Sequence, residues 1–176
     1  MAQAGEPRLV MLRGPSGSGK TTTAMALRRR WGRGTGLVSQ DTVRREILRE
    51  RDIPGGVNIG LIDTICRHTL GAGYDVIVEG ILPAARYGPM LHRLIAEHGG
   101  PVVVCFFEVP FEETVRRHGT RQQAAEFTAA DMRGWYLPDD RLGAPGELTI
   151  GPALTVEDTV DRIVGAVPEP GRGASA

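Results

Sequence analysis

The sequence predicts an α/β protein in which a parallel sheet is covered by helices on both faces. Short apolar runs alternate with amphipathic stretches along the chain. The apolar runs are apolar throughout rather than at every second residue, as strands buried on both faces are. A glycine-rich turn joins the first such run to the first amphipathic stretch. In order, residues 8–13 form a buried strand ending at Gly14, and residues 20–31 a helix with Ala24, Met25, Leu27 and Trp31 at near-helical spacing, closed by Gly32, Gly34 and Gly36. Residues 36–39 are a second strand. Asp41 and Thr42 then cap a helix running to about Arg51, with Val43, Ile47 and Leu48 inward. Pro54-Gly55-Gly56 breaks the chain before a helix carrying Ile59, Ile62, Ile65, Cys66 and Leu70 on one face and ending at Gly71 to Gly73. Residues 75–79 are a strand, 83–98 a helix with Met90, Leu91, Leu94 and Ile95 inward, and 101–107 the clearest strand of all. A helix over 111–118, a polar mobile connection over 118–127 and a helix over 128–137 capped by Thr128 follow. A short strand at 147–150 and a helix at 155–167 complete the pattern.

Composition narrows the function classes. The chain has 176 residues, long enough for one core but not for several domains. Lys plus Arg and Asp plus Glu are 21 each, and zero net charge argues against bulk electrostatic binding to nucleic acid. No apolar run approaches the ~18 residues of a membrane span, and residues 1–7 lack the basic-then-apolar pattern of a secretory signal. Cys66 and Cys105, far apart in sequence, read as reduced core thiols of a cytoplasmic protein. Twenty of the 21 basic residues are Arg, leaving Lys20 alone of its kind. In so Arg-biased a chain, the exception marks a place that needs a compact ammonium on a flexible stem rather than a planar fork.

Lys20 sits in Gly14-Pro15-Ser16-Gly17-Ser18-Gly19-Lys20-Thr21, which matches G-x-x-x-x-G-K-[ST] in full and precedes Thr22 on the same helix. The loop lets successive backbone N–H groups turn inward around phosphate, and the helix adds its positive dipole end. Lys20 reaches the outer phosphates, and the Thr21 hydroxyl is a magnesium ligand. In open α/β sheets ligands bind beyond the carboxyl ends of the strands. Asp41, just after the second strand, is therefore placed to accept a proton from an attacking hydroxyl, and Arg44 to hold the acceptor or an anionic group on it. Glu79 ends the third strand and suits a magnesium-bound water or the acceptor; Gly80 beside it permits close approach of substrate. Arg116, Arg117 and Arg121 form a basic cluster in a segment suited to close over phosphates. Asp75 and Glu108 read as solvated strand ends, His68, His92, His98 and His118 as helix-surface residues without metal spacing, and Trp135-Tyr136 as an aromatic pair beside that segment.

Together these residues resemble the P-loop kinases, and within them the group of polynucleotide kinases, zeta toxins and chloramphenicol phosphotransferases, over about residues 8–166. The resemblance implies a three-layer P-loop fold with a five-stranded parallel sheet in the order 2-3-1-4-5 and a small helical lid over about 116–137. Residues 8–167 would be one kinase domain, with a flexible 1–7 and a disordered 168–176. It also implies Asp41 as general base with Arg44 positioning substrate, Arg117 and Arg121 on the donor phosphates, and adenine near 151–155. The expected protein is an ATP- and Mg2+-dependent phosphotransferase, a monomer or homodimer, acting on a hydroxyl of a metabolite, nucleoside or antibiotic. A 5′-hydroxyl polynucleotide kinase and a nucleotide-binding switch are the alternatives. The chain has no guanine-reading Asn-Lys-x-Asp, since Asn58 and Lys20 are its only asparagine and lysine, which favours ATP.

Overall fold

A computed structural model describes residues 6–119 and 128–167. Five parallel strands, β1 (Leu9–Arg13), β2 (Thr35–Ser39), β3 (Asp75–Gly80), β4 (Val102–Phe107) and β5 (Leu148–Ile150), lie in the order β2-β3-β1-β4-β5. The helices are α1 (Lys20–Trp31), α2 (Val57–Gly71), α3 (Ala84–Glu97), α4 (Phe111–Gly119), α5 (Ala129–Trp135) and α6 (Val156–Ala166).

Alternation along β1 divides the core. Leu9 and Met11 face one way and pack with Ile62, Cys66 and Leu70 of α2 and Met90, Leu91 and Leu94 of α3. Val10 and Leu12 face the other way, against Ala24 and Leu27 of α1 and Val160 and Ile163 of α6. Each wholly buried Leu or Ile here is worth about 1.5–3 kcal/mol relative to exposure. Such double-sided burial is why the strands read as unbroken apolar runs. Both thiols are buried, and burial pushes each up to about 12.

The register matters for function. Ser39 stands opposite Glu79, and Arg13 opposite both Gly80 and Phe106. The carboxyl ends of the strands therefore finish level, and the segments that leave them, including the glycine-rich loop, gather along one edge.

The segment after β2 differs from expectation. In place of an α-helix to Arg51 there is a wide π-helical turn, Thr42–Ile47, closed by Leu48 N–H to the Val43 carbonyl at 3.1 Å and Glu50 N–H to the Arg44 carbonyl at 2.9 Å. Arg49 then takes a left-handed φ of 52°, and the Glu50 carboxylate accepts from Asn58 N–H (3.1 Å) and Asn58 Nδ2 (2.7 Å) in the first turn of α2. The chain is thus anchored on a helix N-terminus, where a carboxylate is favoured, instead of extending a helix of its own. Val43 is buried as anticipated, but Ile47 is 58% exposed; Met25 on α1 also faces outward. Thr128 and Thr155 each start a helix with a reciprocal capping box, to Asp131 and Asp158.

Candidate active site

The glycine-rich loop runs from the buried end of β1 into α1. At Gly14, with φ of 141°, a Cβ would lie 2.7 Å from the Phe107 carbonyl oxygen at the end of β4, so only glycine lets the loop leave so close to the neighbouring strand. No side chain caps α1, and its first turn carries no acidic residue, so its N–H groups and dipole face an anion site. Lys20 is buried and folds over the loop, with Nζ donating to the Pro15 carbonyl at 2.6 Å and to Ser18 Oγ at 3.3 Å.

Glu79 is buried at the end of β3, and its Oε2 accepts from Thr21 Oγ1 at 3.2 Å. A hydroxyl and a carboxylate side by side beneath a phosphate loop are a hard-oxygen donor set that fits magnesium. Gly80 has another purpose than access for substrate. A Cβ there would sit 2.5 Å from both Cβ and Oε1 of Gln40, so the glycine makes room for that side chain. Gly80→Ala is expected to destabilise by about 1–3 kcal/mol, read as a lower thermal midpoint, because neither strand end has space to retreat. A melting curve superimposable on the wild type would refute this packing role.

Gln40 is the first of several functional neighbours that the sequence did not reveal. Its Oε1 accepts from Leu82 N–H at 2.9 Å and its Nε2 donates to Tyr87 Oη at 2.8 Å. The buried Tyr87 hydroxyl also lies 2.8 Å from Asp52 Oδ1 and 2.6 Å from Asn58 Oδ1. Desolvation, with Asp52 next, pushes the Tyr87 phenol well above its ordinary value, so it stays a neutral hydroxyl. This network fixes the residue before Asp41 against α2 and α3. Nothing in the sequence marks it, since Gln40, Asn58 and Tyr87 lie tens of residues apart.

Asp41 does not cap the turn after β2: its backbone is helical and its side chain makes no cap hydrogen bond. The carboxylate, 69% exposed, instead accepts from Arg44 Nη2 at 3.0 Å. Asp41, Arg44 and Ser16 of the phosphate loop line one cavity of about 320 Å3, together with Arg45, Arg51, Asp52, Arg86 and Trp135. That volume is in the range of small-molecule sites.

On the other side of the loop, Arg117 joins three elements. Its Nε donates to Glu113 Oε1 at 2.7 Å, Nη1 to the Ser18 carbonyl at 3.1 Å and Nη2 to the Pro152 carbonyl at 2.9 Å. Arg116 and Arg117 together hold the Glu113 carboxyl down to about 2. Arg121 lies outside the described residues. Asp75 and Glu108 are ion-paired, with Arg8 and Arg141 respectively. His118 is buried on α4 rather than on a helix surface. Tyr136 donates to the Val109 carbonyl at 3.0 Å and meets Phe111 edge-on, a packing role, whereas Trp135 faces the cavity. Among the described residues no group of His, Cys, Asp and Glu has a metal-cluster arrangement, and no helix is long and apolar enough to cross a membrane.

A phosphate loop between the central strand and its helix, in a parallel sheet ordered 2-3-1-4-5, defines the P-loop NTPase fold. The chain belongs to the AAA domain family, whose profile matches residues 9–136. The fold is similar to that of the Mycobacterium tuberculosis APS kinase in complex with AMPPNP and APS, with a TM-score of 0.71 and 20% identity over 92% of this chain and 98% of that one. It is also similar to a gluconokinase from Sinorhizobium meliloti 1021 (TM-score 0.65, 15% identity, 92% and 91% covered). A third likeness is to the Deinococcus radiodurans tunicamycin resistance protein (0.64, 15%, 93% and 99%). At such identities the likeness is one of fold. No curated protein matches the chain.

Proposed function

We propose that this chain is an ATP- and magnesium-dependent phosphotransferase acting on a hydroxyl of a small molecule, with residues 8–167 as its catalytic domain. The observation that carries this reading is the cavity shared by Ser16 of the phosphate loop and the Asp41 carboxylate, a room for an acceptor beside the donor phosphates. Two of the similar folds are named as kinases, of APS and of gluconate, which supports the same class.

In this reading Lys20 and the backbone N–H groups of the 14–22 loop, all but Pro15, hold the β- and γ-phosphates, with adenine near 151–155. Thr21 and, through a water, Glu79 hold magnesium. When bound, magnesium neutralises charge on the phosphates. Asp41 takes the proton of the acceptor hydroxyl, whose oxygen forms a bond to the γ-phosphorus as the bond to the ADP oxygen breaks. Arg44 holds the acceptor, and Arg117 and Arg121 offset the charge of the transferring group. The work is chiefly positioning and electrostatics. Two buried thiols without a disulfide suit a cytoplasmic setting.

Terminally labelled ATP incubated with pooled nucleosides, sugars, aminoglycosides and 5′-hydroxyl oligonucleotides is expected to label a small molecule. Label on oligonucleotides alone would replace this reading with a polynucleotide kinase. Slow hydrolysis with no labelled acceptor would replace it with a nucleotide switch.

A further inference from the structure

Leu82, between β3 and α3, holds a backbone conformation that a side chain disfavours. Its φ is 44°, in the left-handed region, although it is a fully buried leucine. Such a residue persists only where its surroundings fix it, and such residues gather at functional sites. Here buried side chains from two other segments hold both of its polar backbone groups. The N–H donates to Gln40 Oε1 at 2.9 Å, and the carbonyl accepts from Arg13 Nε and Nη2 at 3.1 and 2.8 Å. Each of these side chains stands one residue before a group of the proposed site. Gln40 precedes Asp41, and Arg13 precedes Gly14, where the phosphate loop begins. β1 and β2 are not neighbours in the sheet; β3 lies between them, so the segment leaving β3 is the bridge from one to the other. The residues on either side of Leu82, Ile81 and Pro83, line the cavity that Ser16 and Asp41 share. Gln40 is itself anchored by Nε2 on Tyr87 Oη at 2.8 Å.

We infer that Gln40, Leu82 and Arg13 form a gauge that sets the separation between the Asp41 carboxylate and the donor phosphates, with Gln40 and Arg13 as positioning residues that act through Leu82. The inference rests on the phosphotransferase reading, in which Asp41 is the base. Phosphoryl transfer is mostly a matter of where the attacking oxygen and its base stand relative to the γ-phosphorus, and a misplacement of about 1 Å can cost about 10²-fold. Three hydrogen bonds to one buried peptide segment, held in a conformation with little freedom to drift, suit that task.

The test begins with Gln40→Met, which keeps the length of the side chain but can neither accept from Leu82 nor donate to Tyr87. With the acceptor from the labelling screen, kcat should fall about 10- to 100-fold, while the acceptor KM and the nucleotide affinity stay within a few fold. Gln40→Glu still offers an oxygen to the Leu82 N–H and should recover part of the loss. Hydrogen exchange at the Leu82 amide, followed by NMR, should be slow in the parent chain and faster in Gln40→Met, with the amides of β1 and β4 unchanged. Exchange at Leu82 that does not change, a Gln40→Glu chain no faster than Gln40→Met, or a KM that rises as much as kcat falls overturns the inference. If Gln40→Met does not fold, Tyr87→Phe decides, since it removes only the outer anchor and fills the same space: kcat should drop severalfold at constant KM, and an unchanged kcat overturns the inference. A screen that yields no acceptor removes the phosphotransferase reading and this inference with it, whereas full kcat in Gln40→Met removes the gauge alone and leaves that reading standing.

Discussion

Asp41→Asn is expected to lower turnover by about 10²- to 10⁴-fold, the usual contribution of a positioned general base, while nucleotide affinity stays within a few fold. Asparagine keeps the shape and the ability to accept from Arg44, but its amide cannot take the acceptor proton. The groups proposed to hold the donor are untouched, because Lys20 begins α1 and the loop amides lie between β1 and α1. Stability should scarcely change, since the Asp41 carboxylate is exposed, asparagine still accepts from Arg44, and pairs open to solvent contribute about 0–1 kcal/mol. Steady-state transfer with the acceptor from the labelling screen, beside calorimetry with magnesium–nucleotide, checks both halves. Near wild-type turnover would remove Asp41 from the base role.

Arg13→Met should cost about 3–5 kcal/mol of stability, the range for breaking a buried ion pair from one side. The guanidinium is fully buried at the end of β1, one residue before the phosphate loop. Its Nε and Nη2 donate to the Leu82 carbonyl at 3.1 and 2.8 Å, and Nη1 and Nη2 donate to the carbonyl and carboxylate of Asp140, both at 3.0 Å. Glu147 stands 3.8 Å away. Burial draws this arginine below its ordinary value, and the two acids pull it back. Methionine fills much of the volume yet leaves those acids without their cation. Arg13→Lys should recover only part of the loss, because one ammonium cannot reproduce a fork that spans two chain segments. Urea unfolding followed by circular dichroism gives the number; a change below about 1 kcal/mol would contradict the clamp.

Strands buried on both faces announce themselves as unbroken apolar runs, so β3 and β4 were legible, and Thr128 announced its cap. The phosphate loop was legible because its chemistry is local: eight consecutive residues make the anion site. Its acceptor side was not. Arg13 ends an apolar run, and nothing local marks its clamp, since its partners are Leu82 and Asp140, 69 and 127 residues away. Arg45, Arg51 and Arg86 meet only through the packing of three segments. The spacing after β2 suited an α-helix equally well, and the deciding interaction, Glu50 with Asn58, depends on where α2 docks. The strand order 2-3-1-4-5 came from family resemblance, and the sheet has that order.

The two halves of the proposed site differ in how firmly they are built. The donor loop is wedged between β1, β4 and α1, where even a methyl group at Gly14 has no room. One part of the proposed acceptor wall, Arg44 and Arg45, sits on a wide turn whose extra residue per coil decides which of its side chains look inward. Losing a single residue from that turn would restore ordinary helical winding and present a different set of groups to the chamber, with the grip on nucleotide undisturbed. The phosphate loop and this turn are separate stretches of chain, so the shape of one chamber wall can be altered by a one-residue change without rebuilding the other.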